Sequence, residues 1–354
     1  MSGGLEGVVA AETVLSHTDA AAGMVWVRGH DLPDLVAHHG FEGTIALLWD
    51  GFANGETGEG LSRAGMTSAI GAARVAAFDG LDAWLALAAG RPLFEGMRLG
   101  LASLPDTAAP ADIVGAVTVN VAALLRAGKG LPPVAPDPAL STAADLLRMW
   151  HGAASEPAMV AALDTYFTVL AESGLNASSF TARIVASTRA SLAAAVLGAW
   201  CAFTGPIHGG APGPTLDMLD DAQATPDLDA WLEGKLRAGE RLMGFGHRVF
   251  REIEPRAAEI RKALAAMGPM AGRLAFASHL EARVAAAMDR VKPGRRLPPN
   301  VEIMAALVLD AVGFERDAFT PVFAVGRCAG WIAHALEQQK TGRMIRPTSK
   351  YVGV

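Results

Sequence analysis

Aromatic residues are scarce in this 354-residue chain, at 6% with only two tyrosines, and cysteine occurs only twice. Strands favour aromatic and β-branched side chains, so an apolar content dominated by alanine and leucine predicts helix over sheet. Cys201 and Cys328 cannot build a disulfide framework, and both lie in apolar helical context, so a reducing compartment, the cytoplasm, is expected. Basic residues are not in excess: 30 Lys and Arg stand against 36 Asp and Glu, a net charge of −6. That balance argues against a nucleic-acid-binding surface. The chain opens without a basic stretch followed by an apolar one, so no secretory leader is expected. The longest run without charge, residues 190–207, approaches a membrane span in length. It is rich in Ala, Gly, Ser and Thr and ends on Gly205-Pro206, which marks a core helix, and no membrane partner is expected. No His/Cys/carboxylate cluster shows ligand spacing, so no metal is expected. Repeats, low-complexity tails and charge blocks are also lacking.

What is present is length and apolar patterning. With 51% hydrophobic and 19% charged residues, the chain can bury one large domain or two unequal ones. Residues 24–29 give the only plausible strand, half of a small hairpin. Apolar segments at 41–49, 61–78, 80–89 and 110–127 read as helices, followed by a Pro-rich connection over 128–142. Helices at 143–151 and 157–172 precede a long one over 178–203, capped near Asn176 and stopped by Gly205-Pro206. Two short helices are expected over 216–239, and amphipathic ones over 255–267 and 274–291. Asn300 caps a helix to residue 312 with Gly313 as its stop. A last apolar helix spans 320–339, and the tail from 341 is extended.

Candidate chemistry lies mainly in the second half. Gly205-Pro206-Ile207-His208-Gly209-Gly210 and Gly244-Phe245-Gly246-His247-Arg248-Val249-Phe250-Arg251 each set a histidine among glycines, where the backbone bends sharply and approaches a ligand. Pro255-Arg256 follows. Imidazoles exchange protons near neutral pH, so two of them beside arginines read as acid–base groups at an anion site. Gly-Phe-Gly is no dinucleotide fingerprint, since no strand precedes it and the third glycine is missing; its backbone N–H groups could receive a ring or a carboxylate. Pro299-Asn300-Val301-Glu302 puts a carboxylate in the first turn of a capped helix, where the dipole favours the ionised form. Gly326-Arg327-Cys328-Ala329-Gly330-Trp331 embeds an arginine in an apolar helix, rarely tolerated without an anionic partner. Met344-Ile345-Arg346-Pro347 adds an arginine to the tail. Singly, each has an ordinary reading as a turn histidine, a first-turn glutamate or a surface arginine.

In this order, together with Asn176-Ala177-Ser178-Ser179-Phe180-Thr181-Ala182-Arg183, Arg28-Gly29 and Gly4-Leu5-Glu6-Gly7, the segments resemble the citrate synthase family over essentially the whole chain. The resemblance implies an all-α, two-domain homodimer. Residues 1–208 and 315–354 would form the large domain with the dimer interface, and 209–314 a small mobile domain. It implies an acyltransferase of the citrate (Si)-synthase type, condensing acetyl-CoA with oxaloacetate to citrate and CoA in the tricarboxylic acid cycle. The CoA thioester is a co-substrate, and no permanently bound cofactor is implied. His208 would hydrogen-bond the thioester oxygen, His247 would polarise the ketone, and Glu302 would be the base. Arg256, Arg327 and Arg346 match carboxylate-binding arginines, the last reaching the partner subunit's site. Arg251 matches a CoA phosphate contact, the backbone of Met243, Gly244, Phe245 and Gly246 the loop receiving adenine, and Ser178 the residue orienting His208.

Two positions depart from the family pattern. Its base is normally Asp, and many members carry a substrate-binding histidine where this chain has Ser173. The extra methylene of Glu302 adds about 1.5 Å of reach, and a misplacement of about 1 Å can cost roughly a hundredfold in rate. A locally altered cleft is therefore expected. Two alternatives stay open: a 2-methylcitrate synthase using propionyl-CoA, or a weakly active or non-catalytic acyl-CoA-binding paralogue.

Overall fold

Prolines and short polar side chains set where the helices begin. Pro110, Pro157, Pro212 and Pro255 each open a helix, where the missing N–H is not needed and the fixed φ fits. Ser62, Ser141, Asn176, Ser191, Asp227 and Asn300 cap others, each offering a side-chain oxygen to an orphan backbone N–H. The result, in a computed structural model describing residues 5, 7–53, 60–205, 208–246, 250, 254–268 and 271–353, is almost entirely helical. The all-α expectation holds. Among the described residues the one sheet is antiparallel, ordered β1 (Ser16–Asp19), β2 (Met24–Val27) and β3 (His30–Asp31). The expected strand is its centre, with Val27 opposite both Ser16 and His30.

Two long helices organise the core. Phe319–Thr341 is buried along most of its length and packs on Ala177–Ser187, Leu192–Phe203, Pro110–Gly128, Gly40–Trp49 and Pro157–Leu170. Pro110–Gly128 packs on Arg63–Asp79 and Leu93–Ala102. By length and composition it could cross a membrane, yet 72% of its apolar window is buried inside the protein, as in a core helix. A second group comprises Pro212–Ala224, Leu228–Ala238, Pro255–Ala266, Ala271–Val291 and Val301–Ala311. Within it, Pro255–Ala266 and Val301–Ala311 pack on each other and on Pro157–Leu170, which joins the two groups.

The structure corrects the sequence reading in three places. The single helix expected over 178–203 is two, Ala177–Ser187 and Leu192–Phe203. Arg189 takes a left-handed φ of 65°, and Ser191 restarts the helix by accepting the N–H of Ala194; neither Gly nor Pro marks that break. Leu93–Ala102 is a helix that periodicity did not reveal, because Gly96 and Gly100 interrupt the apolar pattern. Those glycines are the packing surface: a Cβ on Gly96 would lie 2.6 Å from Leu124 Cδ2. The helix expected over 157–172 ends at Leu170, freeing residues 171–176 to form a loop.

That loop carries Ser173, and its backbone is set by close approach to Phe319–Thr341. A Cβ on Gly330 would collide with the Ala171 carbonyl oxygen and lie 2.7 Å from Glu172 Oε2. Gly330→Ala is therefore expected to cost about 1–3 kcal/mol, the usual scale of overpacking, read as a lower Tm by calorimetry. An unchanged Tm would mean that the loop moves aside freely.

Candidate active site

The chain leaves Leu192–Phe203 through a tight turn. Gly209 N–H donates to the Phe203 carbonyl and His208 N–H to that of Gly205, both at 2.9 Å. Only glycine fits at 209, since a Cβ there would lie 2.6 Å from the Phe203 ring. The turn aims His208 at the start of Ala177–Ser187. Ser178 Oγ lies 2.8 Å from Nε2, and the Ser178 backbone N–H donates to Nε2 at 3.3 Å. With Nε2 accepting, the proton of the neutral ring sits on Nδ1. Burial, reinforced by the charge of Arg327, pushes His208 down to about 4, so at neutral pH it is an uncharged N–H donor. Ser178 is itself fixed by Trp331 Nε1, which donates to Oγ at 3.0 Å, and by Asn176 Oδ1 at 2.8 Å.

Arg327 is buried at 3% exposure in Phe319–Thr341. Its Nε donates to the Leu170 carbonyl at 2.7 Å and its Nη2 to Ser173 Oγ at 3.0 Å, with the Phe323 ring centroid 5.0 Å away. Among the described residues no carboxylate forms an ion pair with it. Burial pushes its pKa down to about 10, which still leaves it charged. Arg256 differs. Its Nε and Nη2 grip Glu254 at 2.8 and 2.7 Å, and Nη1 donates to Ser173 Oγ at 2.8 Å. Two guanidinium groups thus share the Ser173 hydroxyl.

Glu302 opens Val301–Ala311, its N–H donating to the capping Asn300 Oδ1 at 2.9 Å. Its Oε2 is buried without a hydrogen-bond partner among the described residues. Burial pushes the carboxyl up to about 7 against the opposing pull of Arg256 and Arg327. The helix-start position predicts an ordinary ionised carboxylate; loss of water outweighs it. Tyr166, on Pro157–Leu170, is a neighbour the sequence reading missed. Its hydroxyl is buried and also unpartnered among the described residues. Burial raises its pKa well above the usual value, Glu302 adds to this and Arg327 opposes it. A tyrosine in an apolar helix, in a chain with two tyrosines, is the only sequence sign of it.

Behind Ser173 runs a buried polar chain. Glu172 Oε1 accepts from Ser16 Oγ at 2.9 Å and from Gly174 N–H at 2.6 Å, and His334 Nε2 lies 3.1 Å away. Arg183 Nε donates to His334 Nδ1 at 3.0 Å, and the same guanidinium pairs with Glu337 and with Gln338. Burial opposes ionisation of Glu172, but His334 and Arg327 hold its carboxyl below the usual range. Sequence reading gave Arg183 only as part of a motif.

Two N–H groups of the glycine loop are taken up within the protein. Phe245 N–H donates to Leu242 O at 3.2 Å and Gly246 N–H to Pro298 O at 2.7 Å. Asn300 reaches back, its N–H to Gly244 O and its Nδ2 to Gly246 O, both at 2.9 Å. Residues 243–246 therefore brace the cap of the Glu302 helix, with Gly244 and Gly246 at φ 80° and 86°. His247 and Arg251 lie outside the described residues. Arg346 is exposed on the extended tail, which is tied down by Ile345 N–H donating to Ser187 Oγ at 3.1 Å.

A neutral imidazole donor, a buried carboxyl and two guanidinium groups on this helical scaffold define an acid–base site built for anions. The family model described as citrate synthase, C-terminal domain, matches residues 4–348, and the chain belongs to the citrate synthase family. Haloferax volcanii citrate synthase is 34% identical over 99% of this chain and 95% of its own length. Mycobacterium tuberculosis 2-methylcitrate synthase is 30% identical over 99% and 90%. The solved citrate synthase of Thermotoga maritima is similar with a TM-score of 0.86 at 27% identity, covering 100% of this chain and 96% of that one. Enzymes of this family are transferases.

Because Glu302 is raised from 4.5 to about 7 in the fold, its protonation favours folding at low pH, and that contribution is lost as pH rises through 7. Glu302→Gln in the ligand-free protein is therefore expected to raise Tm at pH 8 and change it little at pH 5. The gain has a ceiling of about 3 kcal/mol, at roughly 1.4 kcal/mol per pKa unit. Equal Tm changes at both pH values would show that burial does not displace this carboxyl.

Proposed function

We propose that the protein catalyses a citrate synthase-type condensation of acetyl-CoA with oxaloacetate, giving citrate and CoA. The observation that carries this is Arg327, a buried cation that forms no ion pair with a carboxylate among the described residues and whose charge is felt by both His208 and Glu302. Such a guanidinium is complementary to a substrate carboxylate, where charge-assisted bonds are strongest. Arg256, which shares the Ser173 hydroxyl with Arg327, would be the second cation of the site.

Glu302 takes a proton from the carbon next to the thioester. A pKa near 7 suits a base working at neutral pH. As the enolate forms, His208 donates its Nδ1–H to the developing oxyanion; being neutral, it stabilises that charge without adding a permanent cation. The enolate carbon attacks the ketone carbon of oxaloacetate, whose oxygen takes a proton from His247. Water then hydrolyses the citryl thioester and releases CoA. The roles of His247, of Arg251 and of the 243–246 loop at CoA rest on the motif resemblance. So do closure of a small domain over 209–314 and a homodimer in which Arg346 serves the partner subunit's site, while a cytoplasmic location is proposed from the cysteine content alone. Ser173 in place of the family's common histidine, and the longer Glu302, are the motive for the alternative of a weakly active or non-catalytic acyl-CoA-binding protein, and propionyl-CoA is the second reading for the acyl donor. The 30% identity to a 2-methylcitrate synthase supports the same second reading.

The test is thiol release with oxaloacetate and acetyl-, propionyl- or butyryl-CoA. Acetyl-CoA is expected to give the highest kcat/KM, and Glu302→Gln to lower it by about a hundredfold or more, the scale of a lost acid–base group. A clear preference for propionyl-CoA would make the product 2-methylcitrate. No thiol release from any of the three would favour a non-catalytic acyl-CoA-binding protein.

A further inference from the structure

His30 opens β3, and the chain then passes through the short helix Leu32–Asp34 into a π-helical turn, Leu35–His39. A π turn is wider than an α turn and frequently occurs at functional sites. Here its width brings His39, five residues on, back over Asp34, with His39 Nε2 3.8 Å from Asp34 Oδ2. His30 Nδ1 meets the same oxygen from the strand side at 2.6 Å. The two imidazoles stand edge to face with centroids 4.7 Å apart. All three ligand atoms lie within 4.8 Å of one another. Packing fixes the end of the turn: Gly40 has φ 62°, and a Cβ there would lie 2.9 Å from Asp164 Oδ2. His38 is 71% exposed and faces the other carboxylate oxygen, at 3.9 Å.

We propose that His30 Nδ1, the Asp34 carboxylate and His39 Nε2 bind a divalent first-row transition ion of the Zn²⁺ class, with water completing the coordination. Two imidazoles and one carboxylate suit such an ion, whereas Mg²⁺ and Ca²⁺ take oxygen donors. Bonds of about 2.0–2.1 Å in tetrahedral geometry set ligand atoms roughly 3.3 Å apart. Two of the three separations, 2.6 and 3.8 Å, straddle that value and the third is at most 4.8 Å, so side-chain movements of about 1.5 Å or less bring all three to bonding distance. Metal binding at Nδ1 requires the neutral tautomer of His30 with its proton on Nε2, so the entering ion replaces the Nδ1–H contact to Asp34 and the proton passes through solvent to Nε2 with none released. The spacing 30, 34, 39 matches no ligand motif, which is why the sequence predicts no metal; the π turn supplies the convergence. The short helix also packs against Pro255–Ala266, which carries Arg256.

The experiment is calorimetric titration of the whole, tag-free chain with ZnCl₂, repeated with CoCl₂ to follow visible ligand-field absorption. One equivalent is expected to bind, with a tetrahedral Co²⁺ spectrum. His30→Gln and His39→Ala should each weaken binding beyond the roughly 10–100-fold seen when a supporting contact is lost. Asp34→Asn keeps the side-chain shape and should do the same, with circular dichroism verifying the fold of each variant. No binding, binding that survives these substitutions, or a loss confined to His38→Ala would overturn the proposal.

Discussion

A guanidinium inside an apolar helix is the constraint on which the site depends. Arg327 cannot reach water, and among the described residues no carboxylate touches it, so its neighbours are arranged to satisfy its N–H groups. Leu170 supplies a carbonyl because Pro157–Leu170 ends there and cannot use that oxygen itself. Ser173 supplies a hydroxyl because the loop after that helix is held against Gly330 by close packing. The Glu172–His334–Arg183 chain then fixes the loop from behind. A half-satisfied buried cation is costly in a folded protein. Its retention is understandable if an anion completes it during the reaction.

The same burial acts with opposite consequences on the two acid–base groups. His208 loses its charged form and falls to about 4, while Glu302 gains its neutral form and rises to about 7. Desolvation is the leading cause in both, and Arg327 is felt by both: it lowers His208 further but restrains the rise of Glu302. One cation therefore separates the roles, keeping the histidine a donor and holding the carboxyl where it can give up its proton near neutrality. The lack of a hydrogen bond at Glu302 Oε2 among the described residues fits the proposed function, since an acceptor already occupied would be a poorer base.

Helix content, the cap at Asn300 and the glycine-dependent turn at His208 were legible because they rest on local chemistry: side-chain caps, proline starts, glycine conformations. The break at Arg189 was not, since a left-handed non-glycine residue leaves no compositional mark. Leu93–Ala102 was hidden by the glycines that let it pack. At the site, residue identities were legible as a set, but their electrostatics were not. A first-turn glutamate predicts an ionised group, and only its three-dimensional surroundings show that desolvation dominates. Tyr166 likewise depends on contacts between separate helices, whereas the grip of Arg256 on Glu254 is local, made two residues apart at a helix start.

This electrostatic arrangement also orders events. Arg256 and Arg327 are what hold Glu302 down to about 7 against its burial. A dicarboxylate keto acid bound to those arginines would cancel part of their positive field, and nearby negative charge raises a carboxyl's pKa. Glu302 would then be a stronger base once the acceptor is in place, and a weaker one towards an acyl-CoA that arrives alone. The consequence is measurable as two acid limbs. At saturating oxaloacetate, kcat/KM for acetyl-CoA should fall with decreasing pH around a higher midpoint than the one found for the carboxyl in the ligand-free protein. Equal midpoints would mean that the substrate's charge is not felt at Glu302, and that ordering must come from shape alone.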